Sequence, residues 1–212
     1  MDQPQPTDRI GPLPLRSWPP AMREALAAMT PPEPTHAQPP TENRPKALNT
    51  LGVLAHHPAL ARAFLTYNGH ALMATTLSQR QRELLVLRVA ALSRCRYEWA
   101  QHVIIGLDVG LDQAEIRTIA TGPEGHTWPG PDRALLRAVD ELLAEGAITD
   151  PTWSELRPHL DTQQILDLVF TVGAYHTLAW MMRSFDLHLD DDLLAVLPPE
   201  LDLAVLRPEP AP

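Results

Sequence analysis

Cys95, Glu98 and His102 are spaced three and then four residues apart. Residues so spaced share one helix face, so a helix beginning near Cys95 sets a thiol, a carboxyl and an imidazole side by side. Cys95 at that helix N-terminus, between Arg94 and Arg96, has the surroundings that lower a thiol pKa. His102 can exchange a proton near neutrality, and Glu98 can orient it or serve as the acid or base itself. Glu83 stands at the edge of an apolar run, where a carboxylate without a partner is costly. Two antiparallel helices joined by a tight turn near Ser93–Arg94 would bring Glu83 alongside His102. An ion pair with Arg82, Arg88 or Arg94 is the structural alternative.

Around this group, Tyr97 and Trp99 can pack in the core or line a pocket, and Tyr175 and His176, on a later apolar helix, can enter the same pocket. Arg96, Arg94 or Arg183 could bind a substrate carboxylate. Glu98 and His102 have ligand-like spacing, but a metal needs three or four donors and no convincing set assembles, so no metal and no cofactor are expected. His56 and His57 read as a helix end, where a cation suits the dipole. Asp190, Asp191 and Asp192 read as a solvated turn.

The elements that must carry these residues are helices, and the expected fold class is all-α. Helices are expected near 20–29, 46–55, 58–74, 78–93, 96–109, 112–120, 131–145 and 161–183. Ser78, Asp112 and Asp161 each precede a polar first turn, and Gly110 can close the helix that holds His102. The helices opening at Ser78 and Asp161 become apolar nearly all round, as central helices do. No stretch alternates apolar and polar residues as a half-buried strand would. Of 23 prolines, six fall in residues 1–20, six in 31–45 and five in 198–212. Proline is expelled from helix interiors, so the division is a proline-rich arm with one short helix at 1–45, a helical domain at 46–190 and a tail at 191–212.

The 212 residues suffice for one sizeable core, and a formal net charge of -9 disfavours nucleic acid or an anionic membrane as partner. No apolar run approaches a membrane span, the N-terminus lacks the order of a signal peptide, and one cysteine cannot form an internal disulfide. A soluble cytoplasmic protein is expected.

The order Glu83, Cys95, the Glu98 slot and His102 resembles the alkylhydroperoxidase D signature, with Glu98 where that family carries a second cysteine. The string Tyr97-Glu98-Trp99-x-x-His102, followed by Ile105-Gly106 and Gly110-Leu111, is similar to a large carboxymuconolactone decarboxylase-like branch. Arg9-Ile10-x-Pro12-Leu13-Pro14 with Trp18-Pro19, His56-His57-Pro58-x-Leu60 and Gly173-Ala174-Tyr175 extend the resemblance over most of the chain. The resemblance implies an alkylhydroperoxidase D-like helical bundle and a homo-oligomer, a trimer or a hexamer. It implies a lyase-like enzyme acting on a small organic acid or lactone by acid–base catalysis, with His102, Glu98 and Glu83 at its centre and Tyr97, Trp99, Tyr175 and His176 about the substrate. A one-cysteine hydroperoxide reductase of the peroxiredoxin type, using Cys95, is the alternative. A non-catalytic oligomeric helical binding protein is the second.

Overall fold

A computed structural model describes residues 9–37, 44–125 and 128–206. The fold is all-α, with no strand among the described residues. Its centre is an antiparallel pair, α4 (Gln79–Leu92) and α5 (Arg96–Asp108), with the longest helix, α9 (Thr162–Ser184), packed against both. Both α4 and α9 open on capping boxes, Ser78 with Gln81 and Asp161 with Gln164, which satisfy amides that the first turn leaves unpaired. Beyond its first turn α4 is buried all round, from Arg82 to Ala91. At 23 residues α9 is long and apolar enough to cross a membrane, contrary to the expectation from the sequence. Its contacts with α4 and α5, and buried residues from Ile165 to Met182, are those of a core helix.

The turn between α4 and α5 is as tight as expected. Arg94 takes a left-handed conformation, and the Cys95 amide reaches back to the Ala90 carbonyl at 2.8 Å. Helix α5 closes at Gly110, whose positive φ suits a residue without Cβ. On the far side of α4 lie α6 (Gln113–Thr121) and α7 (Gly130–Glu145), followed by α8 (Asp150–Leu156). Helix α8, with Pro151 in its first turn, was not expected: seven residues give too little periodicity to register.

The N-terminal arm packs on its own chain. The Leu13 amide bonds the Gly52 carbonyl, the Trp18 indole N–H bonds the Leu13 carbonyl at 2.8 Å, and Arg9 pairs with Asp186. Its helix α1 (Ala21–Ala27) lies against α3 (Pro58–Gly69), with α2 (Leu48–Leu54) completing this smaller layer. The approach is so close that a Cβ at Gly69 would sit 2.0 Å from the Met29 carbonyl oxygen. Helix α3 then continues as a π-helical turn, His70–Ala74. The His56 and His57 amides bond the Val53 and Leu54 carbonyls that end α2, and the His57 ring also accepts from the Leu60 amide to cap α3.

Residues 191–206 are also part of the fold. The short helices α10 (Asp191–Leu194) and α11 (Leu203–Leu206) bury Leu193 and Leu203, and Leu201 is buried between them. Asp190 is not a solvated turn residue: it is buried just before α10, and accepts the Tyr97 hydroxyl and the Asn49 amide.

Candidate functional site

The tight turn places α4 and α5 antiparallel, and Glu83 meets His102 across the pair. Glu83 Oε2 lies 2.7 Å from His102 Nδ1, and Glu83 Oε1 accepts from Arg82 Nε at 2.8 Å. Arg82 is itself anchored on the Leu72 carbonyl in the π-helical turn. All three side chains are buried. Burial works to raise the Glu83 carboxyl, but the charges of His102 and Arg82 outweigh it and hold Glu83 below the usual carboxylate range. Glu83 therefore stays ionised and fixes the imidazole by Nδ1. Both readings of Glu83 hold at once, since it bonds His102 and pairs with Arg82.

One turn before His102 on α5, Glu98 is 2 % exposed, and neither of its carboxyl oxygens has a hydrogen-bond partner. Burial, reinforced by the Glu83 charge, raises its pKa well above the ordinary range. Burial thus biases Glu98 toward its neutral acid form, while Glu83, on the facing helix, is favoured as the anion. Two carboxyls whose surroundings push them apart in this way form an acid and a base.

His102 and Glu98 line a cavity of about 260 Å³. Its walls are mainly apolar, with Leu51, Leu54, Phe64, Leu72, Ile105 and Leu178 among them, and Met29 of the arm contributes to one side. Tyr175 packs edge-on against His102, ring centroids 4.9 Å apart, and lines the cavity together with Tyr97. Asn68 and Gln101 add polar tips at the wall, and Asn68 Oδ1 and Gln101 Nε2 have no protein partner. Asn68 and Gln101 were not singled out in the sequence; only the convergence of α3 and α5 on one cavity distinguishes them.

The structure brings Glu83, Glu98, His102, Tyr97 and Tyr175 together and leaves out three other expected residues. Trp99 is fully buried, and its indole N–H donates to the Leu201 carbonyl at 2.7 Å, so it anchors the C-terminal segment and does not line the cavity. His176 follows Tyr175 by one residue, about 100° round the helix. It stacks on Trp180 at 4.2 Å on another face of α9, and burial lowers its pKa. Cys95 is 1 % exposed, its sulfur 3.6 Å from the Met182 sulfur, and it is not a wall residue. Burial, followed by the Glu98 carboxyl, raises the thiol pKa, opposite to the sequence expectation. Arg96 is engaged by Asp202 instead. The arginines considered for a substrate carboxylate are likewise outside the wall, Arg183 donating to the Ser93 carbonyl at 2.9 Å.

This all-α architecture, centred on the α4–α5 pair, is that of the alkylhydroperoxidase D-like proteins. A peroxidase-related protein from Ralstonia eutropha JMP134 with an alkylhydroperoxidase AhpD core superposes with a TM-score of 0.70 at 19 % identity, over 89 % of this chain and 95 % of that one. A peroxidase-related protein from Silicibacter sp. TM1040 gives 0.71 at 15 % identity, over 91 % and 97 %. The debrominase Bmp8 gives 0.67 at 13 % identity, over 93 % and 97 %. No curated protein matches the sequence closely enough to count as a relative. Residues 58–129, which hold Glu83, Cys95, Glu98 and His102, match the model of the carboxymuconolactone decarboxylase family. The chain thus carries a segment similar to the carboxymuconolactone decarboxylase family within an alkylhydroperoxidase D-like helical fold.

Proposed function

We propose that the protein is an acid–base enzyme of the carboxymuconolactone decarboxylase type, acting on a small organic acid or lactone. The observation that carries this reading is Glu98: a buried carboxyl with no protein partner, pushed toward its neutral form, at the wall of the cavity that His102, held by Glu83, also lines. In a decarboxylation the carboxylate carbon–carbon bond breaks, carbon dioxide leaves, and the electron pair passes to the neighbouring carbonyl oxygen. Glu98 donates its proton to that oxygen to give the enol. As the imidazolium of His102, held by Glu83, gives a proton to carbon, the enol O–H returns its own to Glu98, so one proton, regained by His102 from water, is consumed per turnover. For a lactone or ketone the same groups run a proton transfer, His102 removing the α-proton as Glu98 protonates the enolate oxygen. Cys95 takes no part in either course, and its buried, raised thiol gives little support to the hydroperoxide reductase alternative.

The test is α-proton exchange in deuterium oxide, followed by NMR for a panel of small keto acids and lactones. The expected result is exchange or carbon dioxide release that is lost in His102→Ala and Glu98→Gln and kept in Cys95→Ser. Peroxide consumption that is lost only in Cys95→Ser would overturn the reading.

We further propose a homo-oligomer. Leu166, Val169, Phe170 and Trp180 are exposed along α9, Trp180 at 61 %, and a row of large apolar side chains favours a second copy over water. Light scattering should give a multiple of 23.5 kDa; the monomer mass would sink the proposal.

A further inference from the structure

We propose that Lys46 is the residue that holds an anionic group of the substrate, so that the cavity selects small carboxylates over their neutral analogues. This assignment rests on the acid–base reading above and names the ligand class for that site. Lys46 lines the cavity just before α2, and no lysine or arginine other than Lys46 is among the wall residues. Its position is fixed by the backbone. The Lys46 amide donates to Asp192 at 3.3 Å, and Ala47 adopts a left-handed conformation, φ 51°, from which α2 begins. A residue with a Cβ is held there only when its surroundings over-determine it.

The charges facing the cavity favour an anion. Among the described residues the Lys46 ammonium makes no ion pair, unlike Arg44, Arg80, Arg82, Arg88 and Arg96, each of which is matched by a carboxylate. Burial pushes the Glu98 carboxyl at the wall toward its neutral form, and the nearby Glu83 is already bonded to Arg82 and His102. No ionised carboxylate of the cavity wall pairs with the lysine, which is exposed and on its other side borders the groove of Asp190, Asp191 and Asp192. The Glu98 hydroxyl and Gln101 Nε2 are further donors without protein partners, and so require acceptors from the ligand. Such a ligand carries a carboxylate for Lys46 and a carbonyl oxygen for Glu98 and Gln101, on a short apolar frame that suits the remaining walls. Lys46 would touch the substrate away from the bond that changes, and so sets binding more than turnover.

The probes are 4-oxopentanoate and its neutral amide, 4-oxopentanamide, titrated into the full chain by NMR to their solubility limits. The wild-type protein should bind the carboxylate roughly tenfold more tightly than the amide, the order of one charge-assisted contact. Added salt should narrow that preference. Lys46→Met should abolish the preference by weakening only the carboxylate, and Lys46→Arg should keep most of it. Equal binding of the two probes, no binding of either, or a preference that survives Lys46→Met would each overturn the assignment. The acid–base reading fails independently: Glu98→Gln should leave the carboxylate preference in place, while α-proton exchange reports on Glu98 and His102 alone.

Discussion

The two sides of α4 treat buried charge in opposite ways. Toward α6 and α7 the charged tips of α4 are matched: Arg88 holds Asp140 through two hydrogen bonds and the Ile119 carbonyl through a third, and Arg80 joins Glu115 and Asp132. Toward α5 and the cavity the matching stops halfway. Arg82, Glu83 and His102 form a closed chain, whereas Glu98, Asn68 and Gln101 carry polar atoms with no protein partner. Burying a polar group unmatched costs about 1–3 kcal/mol. A fold that completes its networks on one side and leaves them open on the other marks the open side as the place for a ligand.

The difference can be broken first at the open side. Glu98→Gln removes the acidic proton and keeps the shape, so turnover should fall by roughly 100-fold or more, the usual worth of a positioned acid. Its stability should move the other way, with a pH signature. In the unfolded chain Glu98 ionises near 4.5, whereas in the fold its pKa is raised. Above about pH 4.5 the folded state therefore holds a proton that the unfolded state has lost, and Glu98 costs more stability as pH rises toward its folded pKa. The glutamine variant should gain relative to wild type over that window in denaturant melts at several pH values. Glu83 has the opposite sign: its lowered pKa stabilises the fold above the ordinary carboxylate range, and that contribution fades as pH falls through the folded value. A wild-type minus Glu98→Gln stability difference that does not change with pH would show that Glu98 is ionised in the fold.

The closed side should respond in stability and not in chemistry. Asp140→Ala strands the buried Arg88 guanidinium and should cost about 3 kcal/mol in urea unfolding, while turnover below the melting range stays near wild type. Loss of turnover without loss of stability would place Arg88 in the site.

A third substitution sharpens the contrast between cavity and arm. Gly69→Ala drives a methyl group into the Met29 carbonyl, so the arm must lift away, at a cost of about 2 kcal/mol. Because Met29 lines the cavity, ligand affinity should fall with stability, and amide exchange in α1 should quicken. Unchanged exchange there would mean that the backbone yields elsewhere.

The smallest effect is expected at Cys95. Cys95→Ser swaps a buried sulfur for a hydroxyl facing the Met182 sulfur and should shift stability by about 1 kcal/mol, leaving acid–base turnover in place.

Much of the frame was legible in the residue order, because it rests on local rules. Ser78, Asp112 and Asp161 cap the helices they announce, Gly110 ends α5, and the spacing of Glu98 and His102 alone sets them one turn apart on a single face. The turn at Arg94 follows from two helices meeting with no room between them, and with it the encounter of Glu83 and His102. Burial is a property of the whole assembly, and there local reasoning gave the wrong sign. Cys95 has the helix N-terminus and cationic neighbours that lower a thiol pKa, yet burial beneath α9 and then the Glu98 carboxyl raise the thiol. The C-terminal segment looked like a tail because it is short and proline-bearing, yet Leu201 receives the Trp99 indole and Asp202 holds Arg96. Sequence thus determined which residues lie on each helix face. Only tertiary packing decided which of those faces meet protein and which meet the cavity, because desolvation and hydrogen-bond matching depend on neighbours that are remote in the chain.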